Sequence, residues 1–297
     1  MLDLVIEPRR QDLGGFEVGR VLPYMKRRQV GPFVFFDHMG PVKWPQGISM
    51  DVDVRPHPHI GLATVTYLFD GEVTHRDSVG SEQAILPGEV NWMTAGRGIT
   101  HSERFERARR DGGFLHGIQA WVALPTEKEE MAPSFAHHGS DDLPYYRYQG
   151  LQARLIAGEA FGAKAKVETH SPMFYVHWQL DAGTRAELPG QYPERAAYVA
   201  AGTVEVDGQR FDSGRMLVFT PGPPILFTAV TPATVMLLGG EPLGPRFIEW
   251  NFVSSSRARI EQAKEDWRAG RMKLPDLDDG PPIPLPGDPP FPSAPAV

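Results

Sequence analysis

Residues 55–72 read RPHPHIGLATVTYLFDGE. His57 and His59 are separated by Pro58 and preceded by Pro56. In an extended strand, residues two apart point to the same face, so both imidazoles stand on one side, about 7 Å apart at Cα. The prolines hold the backbone extended and reduce the entropy lost in fixing the rings. They also place the strand at an edge or an irregularity. ATVTYLF (63–69) follows, rich in the β-branched and aromatic residues of strands. Asp70-Gly71 then gives a hairpin signal.

A second stretch repeats the logic. NWMTAGRGITHSERF (91–105) turns at its glycines and continues as a strand with Ile99, His101 and Glu103 on one face. A lone H-x-H arises by chance, and a strand histidine is more often core or surface than ligand; the matching offset in THSE is what points to a metal. His57, His59, His101 and Glu103 make a nitrogen-and-oxygen set suited to Fe, Mn, Ni, Cu, Zn or Co, with positions left for water, substrate or O2. The chain has no cysteine, which excludes disulfides, thiolate zinc sites, cysteine-held clusters and a cysteine nucleophile.

The rest of the 297 residues fits an all-β reading. Hydrophobic residues make 41 % and charged residues 23 %, and 31 glycines with 29 prolines punctuate short strand-like runs. VNWM (90–93), IQAWVAL (118–124), KVETH (166–170), MFYVHWQL (173–180), AAYVA (196–200), TVEV (203–206) and RMLVFT (215–220) are expected as strands. The two halves echo each other as strand, glycine turn, strand, which suggests two copies of one β-fold. The best join is 127–146. One helix is expected, over 254–270, with serines at its start, Gly270 at its end, and Ile260 and Trp267 facing the body. The proline-rich end, 281–297, is expected to lie along the surface.

The formal net charge of −7 opposes direct nucleic-acid binding, and the basic runs MKRRQ (25–29) and RARR (107–110) read as surface charge. No run of about 18 apolar residues predicts a membrane span, and the start lacks a secretory layout. A cytoplasmic protein is expected.

The pattern H-x-H, a hairpin glycine (Gly71), Pro87-Gly88 and a later histidine (His101) resembles the cupin family. More narrowly, PFVFFDHMGP (32–41), HPHIGLATVTYLFDGEVTHRDSVGS (57–81), LPGEVNWMTAGRGITHSE (86–103) and HGIQAWVALP (116–125) resemble the pirin family; EPLGPRFIEWNFVSSS (241–256) matches more loosely. The resemblance implies a bicupin of two jelly-roll barrels in tandem: 1–135 with one metal, usually iron, and 136–297, a degenerate barrel with the terminal helix and proline-rich tail. It carries over the ligands His57, His59, His101 and Glu103. The glutamate of the general cupin motif is absent, with Ala63 and Thr64 in its place. In the second half, ELPGQYP (187–193) matches the HPH region without a histidine, so that barrel is expected to have lost its metal.

The resemblance also implies two functions. One is a quercetin 2,3-dioxygenase type of reaction, opening a flavonol ring with O2, in which Glu103 stays a ligand or takes the substrate's hydroxyl proton. The other is a non-catalytic, redox-sensitive regulator that binds a transcription factor or metabolic enzyme. Phe35, Phe36, Trp92 and Met93 are candidates for an apolar cavity mouth. Asp37 is a candidate for fixing a strand end, and His38 for lining the cavity. His75 and Asp77 share a face, either solvent-facing or hydrogen-bonding behind the ligands, and His116 is a similar candidate. AHHG (136–139) is expected to be exposed; His170 and His177 have no visible partner set.

Overall fold

The structure, a computed structural model, describes residues 1–13 and 15–291. It contains two β-sandwiches. The first pairs a seven-stranded sheet, in the order Ser134–His138, Val90–Thr94, Leu62–Asp70, Gly113–Ala123, Phe33–Trp44, Glu17–Leu22, Arg9–Asp12, with a four-stranded sheet, Val54–His59, Ile99–Arg104, Val73–Asp77, Glu82–Ile85. The second pairs an eight-stranded sheet around Met173–Leu180 and Ala233–Gly240 with a four-stranded sheet around Thr203–Val206 and Ile225–Ala229. The sheets are open at their edges.

The two large sheets pack against each other. Phe33, Phe36, Val65, Tyr67, Ile118 and Ala120 of the first meet Tyr175, Tyr198, Met236 and Leu238 of the second in one apolar cluster. The strands between are therefore buried on both faces and read as near-continuous apolar runs. Period two still sorts their side chains. In Gly113–Ala123, Ile118 and Ala120 join the junction core, while Gln119 and Trp121 line a cavity inside the first sandwich.

Both chain ends cross over. Leu2–Ile6 pairs antiparallel with Met216–Phe219 of the second sandwich. The C-terminal helix, Arg257–Arg268, packs on the first: Ile260, Ala263 and Trp267 share a core with Ile60, Phe252 and Leu285. It is shorter than expected from sequence. Ser256 sits at its N-cap without a side-chain capping bond; of the serines before it, Ser254 Oγ and the Ser255 amide both donate to Glu129.

Three expectations are corrected. KVETH (166–170) is irregular, the chain leaving the sheet after the short strand Ala163–Lys164. AHHG is not an exposed linker: His137 and His138 end the strand Ser134–His138 that edges the seven-stranded sheet. The proline-rich end is more than a surface tail. The Ile283 amide donates to the Pro56 carbonyl, Trp267 Nε1 donates to the Ile283 carbonyl at 3.0 Å, and Leu285 is buried. Residues 292–297 of that stretch lie outside the described residues.

Candidate metal centre

The strands Val54–His59 and Ile99–Arg104 are antiparallel neighbours, with His101 opposite His57 and Ile99 opposite His59. This register brings three imidazoles together inside the first sandwich. One ring nitrogen each from His57, His59 and His101 lie within 4.8 Å of one another, and among the described residues no other such group of three donors is found. A bulge between His101 and Glu103 sets Glu103 opposite Val54. Glu103 lines the cavity alongside His57 and His59 but is not a member of the close set.

Hydrogen bonds to carbonyls fix what two of the rings offer. His57 Nδ1 lies 2.9 Å from the Arg55 carbonyl, and His59 Nδ1 lies 2.9 Å from the Asn251 carbonyl. A carbonyl only accepts, so both Nδ1 atoms carry the proton and both Nε2 atoms carry a lone pair. His101 Nδ1 lies 3.3 Å from His75 Nδ1. The Nε2 atoms of His59 and His101 are buried without a hydrogen-bond partner. Burial keeps all three rings neutral: it lowers the His57 pKa to about 4 and holds His59 and His101 well below the usual range, reinforced by their neighbouring imidazoles. Buried acceptors without donors cost free energy, and a cation between them answers all of them at once. The donor set fits a transition metal of the kind that prefers imidazole.

The cavity of about 360 Å³ beside the histidines falls in the range of roughly 300–1,000 Å³ typical of small-molecule sites. Phe35 and Trp121 stack in it with centroids 4.0 Å apart. Arg20 grips Asp37 through two bonds of 2.9 and 2.8 Å and lies over the Phe35 ring. Gln119 Nε2 donates to Glu103 Oε1 at 3.2 Å, and Thr66 Oγ1 donates to Gln119 Oε1 at 2.7 Å. Burial pushes the Glu103 carboxyl up to about 7, more than these bonds offset.

Several side chains stand elsewhere than expected. Phe35 lines the cavity; Phe36 and Trp92 face the junction core, and Met93 packs with Ile99. Asp37 is in the cavity, whereas His38 points the opposite way, bonded to Tyr198 Oη and His116 Nε2 at 2.8 Å each. His177 bonds the Tyr67 hydroxyl in the same junction. His75 and Asp77 are both buried. The cavity's C-terminal wall, Trp250, Asn251 and Ile283, carries no signal in the sequence. Trp250 has φ +52, an uncommon conformation for a bulky residue, and it immediately precedes the carbonyl that holds His59.

In the second sandwich, the region matching HPH contributes the Pro189 carbonyl, which accepts from the fully buried Arg195; the Pro223 and Thr220 carbonyls accept from the same guanidinium.

Comparison with known proteins agrees over both halves. The family model described as Pirin matches residues 15–122, and that described as the Pirin C-terminal cupin domain matches residues 175–273. A pirin-like protein of Caulobacter vibrioides is 67 % identical, over 96 % of this chain and 100 % of its own. A solved structure named quercetin 2,3-dioxygenase, from Acinetobacter baumannii, superposes with TM-score 0.87 at 32 % identity, covering 98 % of this chain and 96 % of that one. A bacterial pirin from Escherichia coli, solved with nickel(II), shares the fold at TM-score 0.63 and 19 % identity over 80 % of this chain and 99 % of its own.

Proposed function

The chain belongs to the pirin family, and from that premise we propose that it is a metal-dependent oxygenase of the quercetin 2,3-dioxygenase type, with iron as its metal and a flavonol-like aromatic as substrate. One observation carries the reading: a ring nitrogen from each of His57, His59 and His101 converges beside an aromatic-lined cavity that also holds a carboxyl of raised pKa. His57, His59 and His101 would hold the ion, with Glu103 as fourth ligand or as base. A bound divalent metal supplies Lewis acidity and access to O2.

The chain's own groups do the rest. The stacked Phe35–Trp121 pair offers a planar substrate an apolar wall. Glu103 takes the proton of the flavonol 3-hydroxyl while Gln119 holds its Oε1. A carboxyl near 7 populates both protonation states at neutral pH, as a proton-transfer group should. Trp250 and Ile283 close the cavity from the C-terminal side and keep water away from the reacting ring. The overall change balances as flavonol plus O2 giving the ring-opened ester and carbon monoxide, with no other reductant.

Glu103→Ala at full metal loading is expected to lower flavonol turnover by about 10²–10⁴-fold. Unchanged turnover at full loading would remove the base role. A second reading, a metal-gated protein-binding regulator, is favoured by the direct link between the ligand strand and the C-terminal segment, Ile283 amide to Pro56 carbonyl. It would be selected by metal bound without catalytic turnover. Among the described residues no helix is long and apolar enough to cross a membrane.

A further inference from the structure

His75 and Asp77 lie on Val73–Asp77, the neighbour of Ile99–Arg104 on the side away from the His57/His59 strand. Both are buried, at 5 % and 1 % exposure, and neither lines the cavity. Asp77 Oδ1 accepts from the Val79 and Ser81 amides, each at 3.0 Å. Its Oδ2 lies 2.9 Å from His75 Nε2, and His75 Nδ1 lies 3.3 Å from His101 Nδ1. Phe135 stacks on the His75 ring at 4.5 Å.

We propose that Asp77, acting through His75, is a positioning residue that sets the tautomer of His101 and thereby makes its Nε2 a metal ligand. The proposal rests on the reading of His57, His59 and His101 as a metal set. An ionised carboxylate only accepts, so His75 Nε2 carries the proton. With that proton on Nε2, His75 Nδ1 takes the acceptor side of its contact with His101 Nδ1. His101 Nδ1 must therefore carry its own proton, which leaves the lone pair on His101 Nε2, the atom buried without a partner. Imidazole ligands are commonly fixed in this way by a carboxylate or carbonyl; here the carboxylate works at one imidazole's remove.

The same bonds say how to reverse it. In Asp77→Asn the amide oxygen stays on the two backbone N–H donors at the Oδ1 position, because an NH2 group there would face donors. The new NH2 then faces His75 Nε2 and turns it into an acceptor. The His75 proton moves to Nδ1, His101 Nδ1 becomes an acceptor, and His101 Nε2 takes the proton and cannot ligate. A change of one buried atom group, on the residue directly opposite His101 in the neighbouring strand, inverts the site.

The test is 15N NMR of the imidazoles in metal-free protein, followed by calorimetric titration with nickel(II) alone, on wild type, Asp77→Asn and His75→Phe. Expected are a protonated Nδ1 on His101 in wild type and a protonated Nε2 in Asp77→Asn. Nickel affinity should fall by about 100-fold in Asp77→Asn and about tenfold in His75→Phe, which keeps the stack on Phe135 and frees His101 to choose its tautomer. A merely structural role gives the opposite order, since His75 is the closer residue and the larger change. Wild-type affinity in Asp77→Asn, or a protonated His101 Nε2 in the metal-free wild type, would overturn the proposal. The wild-type spectrum decides even if a variant fails to fold. Absence of nickel binding by wild type with the expected tautomer would instead overturn the metal reading and leave the tautomer assignment standing.

Discussion

In the first sandwich, an edge strand and its neighbour turn three imidazoles toward one point, and two of the nitrogens there have no partner. In the second, the interior is filled by Trp178, Phe219, Phe227, Leu217 and their neighbours, and the two terminal nitrogens of the buried Arg195 donate to three carbonyls. The plan is shared and the contents are not. The second sandwich also buries unpartnered polar atoms, among them Trp178 Nε1, His177 Nε2 and Arg195 Nε, but among the described residues it gathers no three metal-binding side chains at one point. What sets the first apart is convergence: its unpartnered Nε2 atoms, each costing about 1–3 kcal/mol when left unpaired, belong to imidazoles that meet at one point.

If that division is right, damage to the second core should fall on stability alone. Trp178 is fully buried, edge-to-face with Phe227 at 5.9 Å. Trp178→Ala is expected to lower the unfolding free energy by about 3–5 kcal/mol, with the folded fraction keeping the wild-type metal content. Denaturant unfolding and elemental analysis on the same samples check it; metal lost in proportion would join the two halves into one functional unit.

A smaller effect sits at the junction between the sandwiches. Burial lowers the pKa values of His38 and His177 to about 3. A folded value below the ordinary one means that the stability tied to the neutral ring is complete above about 6.5, the ordinary value, and is lost as pH falls toward 3. Unfolding free energy should decline over that window, by roughly 2 kcal/mol per histidine at pH 5, and His177→Gln should flatten the decline. Equal slopes in wild type and variant would mean that His177 does not carry this penalty.

The three converging imidazoles were legible through strand parity, whereas Glu103, expected with them as a ligand, lines the cavity outside the close set. His57 with His59 and His101 with Glu103 each share a face, and the glycine and proline turns beside them mark the strands. Parity gave less where a strand is buried on both faces. Phe35 and Phe36, or Asp37 and His38, read alike in sequence, yet one of each pair lines the cavity and the other enters the junction. The C-terminal wall was not legible. Asn251 reaches His59 across 192 residues, and Ile283 lies in a proline-rich run with no periodicity to place it. His75 and Asp77 were visible as a same-face pair, but only the contact from His75 to His101 shows which way they point.

The most direct measurement is elemental analysis of wild type and of the double variant His57→Ala/His59→Ala, followed by flavonol turnover in air on the same samples. An iron-dependent oxygenase should carry about one transition metal per chain, lose it in the double variant, and sustain turnover only when loaded. Wild-type protein that holds its metal without turnover, or a metal-free variant that still consumes flavonol at the wild-type rate, would contradict it.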